Sequence, residues 1–342
     1  MLVVRPVETK DLNDILELAV KSGKGMTSLP NNQQALSQKI ESSAASFNRD
    51  TIDDADYFLL ALEDSNHNKV VGTAAIHSRT GHRQAFYAYR LMSLTHYSHS
   101  LNKQTRSELL HLTNDYTDYS EVSTLYVDRD YRGNGHWLAR SRYLLMGQFR
   151  ERFAPFVISE LRGSYNEEGR SPFWDAIGKH FFEMEFEEAD ELCGIGTNQF
   201  ITDLMPRYPI YTSMLPKAAR DVIGVPSDAG RQAMKLLEQE GFVYEKVIDI
   251  FDGGPILKAH LDQLKSVRHI EHGTAQQASD PIVNEPALIA TSSLKKFRAV
   301  YADCMINEDG ILQINHDTLN ALQAQPGDLL KYIPQAPSKQ NE

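Results

Sequence analysis

With 342 residues, 41% hydrophobic and 24% charged, the chain has an ordinary globular composition and enough length for about two cores. Its net charge of −11 argues against nucleic acid, which needs a basic face, yet leaves room for a small polyanion held by local cations. No apolar run approaches the ~18 residues of a membrane span, and Met1-Leu-Val-Val-Arg-Pro6 lacks a signal peptide's basic and apolar regions.

In chain order, residues 2–7 alternate as a strand. A helix follows with Leu12, Ile15, Leu16 and Ala19 on one face. Ser22 to Pro30 is a loop, Asn32 to Phe47 a second helix, and Thr51 to Asp56 an acidic loop. Tyr57–Leu62 and Lys69–His77 are strands joined by a short turn. Val122–Val127 is a strand, and a helix over Trp137–Phe153 turns Leu138, Leu145 and Phe149 inward. Phe156–Arg162 is a buried strand with a charged exit, followed by an aromatic stretch over 171–188. Residues 197–223 read as helical with proline interruptions. Arg231–Gln239 is a helix closed by Gly241, and Phe242–Phe251 is a strand. Residues 271–286 read as a polar linker. The short strands Leu288–Thr291, Phe297–Tyr301, Ile311–Ile314 and Leu329–Ile333 then suggest a small barrel or curled sheet, with a disordered tail from Pro334.

The segment Val122 to Trp137 carries the strongest local chemistry. A strand feeds the glycine-bearing loop Arg132-Gly-Asn-Gly135 at a helix start, where main-chain N–H groups and the helix dipole favour phosphate. Its Arg-x-x-Gly-x-Trp spacing resembles the pyrophosphate loop of acyl-CoA-dependent N-acyltransferases, with Trp137 replacing the last small residue. An ordinary strand–turn–helix junction would read the same way.

Three further segments stand out. Ser28-Leu-Pro30 is either a helix entry or part of a site. Glu160 and Arg162 lie at a strand's C-terminal end beside Ser171-Pro-Phe-Trp174, where a carboxylate could accept a proton from an amine. A structural Glu–Arg pair is the alternative. Asp249 and Asp252, before a double glycine, either bind a cationic side chain or form a hinge into a second domain. Cys193 and Cys304 are far apart and read as small buried residues of a reducing compartment. No zinc spacing, Ser-His-Asp order or dinucleotide fingerprint occurs, so neither a metal nor a permanently bound cofactor is expected.

Together these segments resemble the bacterial arginine N-succinyltransferase family, including its paired-subunit arginine/ornithine form. The resemblance is carried by Val4-Arg-Pro6, Thr27-Ser-Leu-Pro30, Leu62-Glu-Asp-Ser65, Ser171-Pro-Phe-Trp174, Asp203-Leu-Met-Pro206, Pro209-Ile-Tyr211, Asp221-Val-Ile-Gly224 and Ile248-Asp-Ile-Phe-Asp-Gly-Gly-Pro255, in one order. It implies a mixed α/β (α+β) acyl-CoA N-acyltransferase (GNAT-like) fold over residues 1–255, with a small C-terminal β-barrel over 256–342. It implies transfer of succinyl from succinyl-CoA, a co-substrate, to the α-amine of L-arginine. The family's contact to succinyl-CoA falls on Leu125, and its histidine proton donor falls on Ser227, which cannot titrate near neutrality.

The expected site is therefore Glu160 and Ser227 for catalysis; Leu125, Arg132, Gly133, Asn134 and Gly135 for the acyl donor; and Arg162, Asp249 and Asp252 for the amine. A cytoplasmic location is expected, with no membrane partner, in a homo-oligomer or a hetero-oligomer with a paralogous subunit. Ornithine, another amine or a different acyl-CoA is the near rival. A catalytically weak supporting subunit is the rival from another class.

Overall fold

The computed structural model describes all residues except 24–25, 83–84, 187, 190–191, 193–198, 280–281, 283–285, 308 and 336–342. Cys193 and most of the expected tail thus lie outside the described residues. The strands are β1 (Leu2–Pro6), β2 (Tyr57–Asp64), β3 (Lys69–His77), β4 (Ala88–Ser98), β5 (Lys103–Thr113), β6 (Ser120–Val127), β7 (Phe156–Glu160), β8 (Ile210–Tyr211), β9 (Val243–Asp249), β10 (Pro255–His260), β11 (Glu271–Gln277), β12 (Pro286–Thr291), β13 (Ala299–Ile306), β14 (Ile311–Ile314) and β15 (Leu329–Pro334). The helices that matter here are α1 (Leu12–Ser22), α2 (Gln33–Asn48), α3 (Gly135–Gln148), α4 (Pro172–Ala176) and α5 (Asp228–Glu240). The chain divides into two units, the first formed by 1–78, 122–155 and 261–342, the second by 79–121 and 156–260.

In the first unit β2 is wholly buried, apolar from Tyr57 to Leu62 as a strand covered on both faces must be, and ends on the buried carboxylates of Glu63 and Asp64. It pairs antiparallel with β1 and β3. Helices α1 and α2 bury Ile15, Leu18, Ala19, Leu36 and Ile40 against Leu59, Ala61 and Ala75. The buried stripe of α1 is thus Ile15–Leu18–Ala19, and the expected Leu12 and Leu16 are only partly buried at its edges. Asn32 caps α2, its side chain accepting the Ala35 N–H at 2.9 Å.

Strands β12, β15, β11, β14 and β13 follow one another, and β12 pairs back onto β13, which closes a five-stranded barrel. The expected linker over 271–286 is corrected here. Its first seven residues form β11, parallel to β14 and antiparallel to β15. The strand looks like a linker because only Gly273 and Ala275 are buried, while its other side chains are exposed or half-buried.

The second unit is a sheet in the order β7-β10-β9-β4-β5-β8, every neighbour antiparallel. The first two residues of β6, Ser120 and Glu121, add parallel to Val157 and Ile158 of β7. The stretch 197–223, expected to be helical with proline interruptions, holds among its described residues short helices at 199–204 and Lys217–Val222, with the unexpected strand β8 between them. Ser171 caps α4 by accepting the Trp174 N–H at 3.2 Å, so Phe173 and Trp174 enter the core rather than forming surface beside Glu160. Trp174 stacks on Phe182 and Phe251 with ring centroids 5.5 and 5.6 Å away.

Candidate active site

In the first unit, β6 ends at Val127 and is followed by Asp128, whose carboxylate accepts the Asp130 N–H at 3.3 Å and the Lys21 ammonium at 2.6 Å. A 3-10 turn over Arg129–Tyr131 follows, tied down by the Tyr131 hydroxyl donating to Asp64 at 2.9 Å. Gly133 then takes φ +96°, which L side chains avoid, and reverses the chain into α3. Asn134 precedes α3, and its side chain is fully engaged: Nδ2 donates to the Tyr131 carbonyl at 2.8 Å and Oδ1 accepts the Trp137 indole N–H at 3.0 Å. No side chain therefore caps the helix. Among the described residues, the main-chain N–H groups of Gly133 to Trp137 make no hydrogen bond.

A Cβ on Gly135 would meet nothing within 4 Å. Arg132 nearby is exposed, and its guanidinium has no hydrogen bond or ion pair among the described residues. A run of free N–H groups at a helix start, with a free guanidinium, has the chemistry to hold an anion. Trp137 does not obstruct it: its ring is buried, bonded to Asn134 and stacked 6.4 Å from Tyr301. The departure from a small residue in the loop motif is thereby accommodated.

Leu125 is half-buried on β6, directly after Thr124, which takes φ +55°. A β-branched residue in that region is an outlier, and the surroundings hold it there. The Thr124 carbonyl accepts the Thr73 hydroxyl at 3.0 Å, and the Ser123 carbonyl accepts the Arg142 guanidinium at 3.2 Å. Sequence reasoning missed Thr124, because no local signal places threonine in a left-handed conformation.

The remaining expected residues all lie in the second unit. Glu160 ends β7, paired with Ile256 of β10, and the residue is exposed over part of its surface while protein packs round its carboxyl. It makes no hydrogen bond or ion pair among the described residues, so it is no partner to Arg162. Surrounding protein desolvates its carboxyl, and the carboxylates of Glu121, Asp249 and Asp252 repel its charge. Both effects push its pKa well above the carboxylate range, as a base working near neutrality requires. Arg162 is half-buried, its guanidinium likewise without a hydrogen bond or ion pair among the described residues, and desolvation lowers its pKa.

Asp249 and Asp252 form a tight turn between β9 and β10. One oxygen of Asp249 accepts the N–H groups of Phe251 and Asp252 at 2.7 and 2.8 Å. Asp252 is buried, and its two oxygens accept the N–H groups of Gly163 and Gly254 at 2.7 and 2.8 Å. The chains approach so closely that a Cβ on Gly254 would lie 2.1 Å from the Leu161 carbonyl oxygen. Burial, with Asp252 as neighbour, raises Asp249 to about 8, and burial raises Asp252 as well, so the two carboxyls titrate as a pair.

Ser227 reaches the same place from another direction. Its N–H donates to the Arg162 carbonyl at 2.9 Å, and its hydroxyl accepts the Gly230 N–H at 3.2 Å as the N-cap of α5. Gly163 also bridges to Pro226. The second unit thus gathers Glu160, Arg162, Ser227, Asp249 and Asp252, while Leu125 and Arg132–Gly135 belong to the first. Among the described residues no His, Cys, Asp or Glu group suits a metal ion, and no helix is long and apolar enough to cross a membrane.

The family described as arginine N-succinyltransferase beta subunit matches residues 2–266, and its C-terminal domain matches residues 271–334. An arginine N-succinyltransferase of Yersinia enterocolitica is 39% identical over 339 residues, and one of Escherichia coli is 38% identical over 340, each spanning 97% of both chains. The solved structure of arginine/ornithine succinyltransferase subunit AI from Pseudomonas aeruginosa superposes with a TM-score of 0.88 at 32% identity, covering 98% of both chains. The chain belongs to the arginine N-succinyltransferase family.

Proposed function

We propose that the protein transfers the succinyl group of succinyl-CoA to the α-amine of L-arginine, in the cytoplasm, as a step of arginine catabolism. Family membership across nearly the whole chain carries this reading. The fold assigned to residues 1–255 is that of the acyl-CoA N-acyltransferases, with residues 256–342 as the barrel domain.

The free N–H groups of Gly133, Asn134 and Gly135, with Arg132, hold the pyrophosphate of the acyl donor. Leu125 and its strand hold the acyl arm and polarise the thioester carbonyl through main-chain N–H groups. In the second unit, Arg162 is the free cation for the amino acid's carboxylate. The second oxygen of Asp249, backed by the charge of Asp252, attracts the guanidinium. Glu160 takes a proton from the attacking amine. The C–N bond forms, the C–S bond breaks, and the CoA sulfur leaves as a thiolate. A thiolate is a good enough leaving group that the histidine replaced by Ser227 is dispensable. Ser227 keeps the position as a helix cap and supplies no titrating proton.

That replacement also favours a second reading, in which the chain is a weakly catalytic subunit supporting a paralogue. Release of CoA by the purified chain decides between them, with succinyl-CoA and acetyl-CoA each tested against arginine and ornithine. Turnover with succinyl-CoA and arginine alone establishes the proposal. Binding of succinyl-CoA without turnover for any pair transfers the case to the supporting subunit.

A further inference from the structure

Strands β4 and β5 form a ribbon paired without interruption from Ala88↔Thr113 to Ser98↔Lys103. Its root is held in the second unit, where β9 pairs with Ala88 to Arg90 and β8 with Leu109 and Leu110. Beyond the root, neither outer edge has a strand partner among the described residues. Both faces are open too: Met92 and His96 on one and Ser93, Thr95 and Tyr97 on the other are all exposed.

Such a ribbon is anomalous on its own. Two strands without a covered face are marginal in water. The edge Leu91-Met-Ser-Leu-Thr-His-Tyr-Ser98 has no proline, no bulge and no acidic or strongly basic side chain, so it lacks the usual guards against pairing with another chain. Large apolar side chains are exposed along it, with Leu101 at the tip 74% accessible. Exposed Tyr208, Tyr211 and Met214 extend the apolar surface at the root, where the Thr212 hydroxyl donates to the Glu108 carbonyl at 3.1 Å. The charges point the same way. Arg90, Lys103 and Arg106 face a single ribbon carboxylate, Glu108, in a chain of net charge −11. Arg90 pairs with Asp115, whereas Lys103 and Arg106 have no carboxylate partner among the described residues.

We infer that the β4–β5 ribbon is an arm through which this chain assembles with a second copy of itself. A basic, apolar arm on an acidic body finds its electrostatic complement on every other copy, and a two-fold arrangement buries the same unguarded edge of both chains at once. The inference does not depend on which acyl group or amine the protein uses.

Light scattering and sedimentation of the full chain test it, together with hydrogen exchange at the amides of residues 91–98. The wild type is expected to be an oligomer whose ribbon amides are protected, with protection lost on dilution to monomer. Met92→Glu/Tyr97→Glu and, separately, Lys103→Glu/Arg106→Glu should weaken association at least about tenfold with unchanged circular dichroism. A monomeric wild type with fast-exchanging ribbon amides would overturn the inference. So would folded variants that assemble as the wild type does. The dilution experiment needs no variant, so a misfolded variant leaves the test intact.

Discussion

The main-chain N–H of Ser227 donates to the carbonyl of Arg162 at 2.9 Å, fixing the start of α5 beside the end of β7. The serine hydroxyl then caps the helix through Gly230. Ser227→Ala leaves that N–H without its cap and should cost about 1 kcal/mol, read as a fall of a few degrees in Tm. Ser227→His places here, at a poorer cap, the imidazole that the family resemblance implies. If the thiolate leaves unaided, kcat stays near that of the wild type. A large rise in kcat with a new limb near the histidine pKa would show instead that proton donation limits the natural protein.

Glu160 is predicted to act only when ionised. Its pKa is raised, first by desolvation and then by Glu121, Asp249 and Asp252, so activity should climb with pH through a value above the usual carboxylate range. Glu160→Gln should lower kcat by about 10²-fold or more and erase that limb, leaving the substrate amine's own titration. Full-length pH–rate profiles of both proteins provide the comparison, and superimposable profiles would refute the assignment.

Asp249 makes a stability prediction with a definite sign. Its folded pKa of about 8 lies above the ~3.9 of an unfolded aspartate. Between those values the folded chain holds a proton that the unfolded chain has lost, so stability falls as pH rises across this window. Asp249→Asn mimics the protonated form: its oxygen can accept the Phe251 and Asp252 N–H groups, and its amide can donate to Asp252. Thermal melts from pH 5 to about 8 should show the wild type losing Tm more steeply than the variant, which keeps only the fall due to the raised Glu160 and Asp252 carboxyls. Parallel curves would mean that Asp249 is ionised in the folded protein.

Much of this architecture was legible in the sequence. Helix α2 was legible over Asn32 to Phe47, β2 and β3 as apolar runs around a turn, and the barrel strands apart from β11. What escaped did so for physical reasons. Strand β11 shows no apolar alternation, because only Gly273 and Ala275 face inward. The ribbon beyond Leu91 was invisible because both its faces are wet, so it lacks a period-two apolar pattern. The glycine loop could be read from its spacing. The work done by Asp252 could not, because the N–H it accepts from Gly163 comes from a distant segment brought close only by folding.

The anion site predicts a division of labour among its residues. Arg132→Ala should raise the KM for succinyl-CoA several-fold, with kcat little changed and a weaker dependence on salt, since an exposed guanidinium acts mainly through its charge. Gly135→Ala should melt like the wild type, because a Cβ there meets nothing, yet bind the donor poorly if the anion occupies that space. Gly133→Ala should lose about 1 kcal/mol or more from its φ of +96°. Calorimetry with CoA alone separates these effects from catalysis. Equal CoA affinity in Arg132→Ala and the wild type would remove the loop from the donor site.

Thr124 offers the sharpest test of preorganisation. A threonine at φ +55° carries about 1–3 kcal/mol of backbone strain, and it persists because Thr73 and Arg142 hold the carbonyls of Thr124 and Ser123. Thr73→Val keeps the side-chain shape but removes the donor to the Thr124 carbonyl, at a cost of about 1–3 kcal/mol. Thr124→Gly instead removes the strain itself while loosening the backbone next to Leu125. If this kink sets the backbone that receives the acyl group, both variants should lower kcat while leaving CoA affinity intact. Their stabilities should diverge, with Thr73→Val melting lower and Thr124→Gly losing far less. Unchanged kcat in both would make the kink a feature of packing alone, because two opposite perturbations of its energy would have left the chemistry untouched.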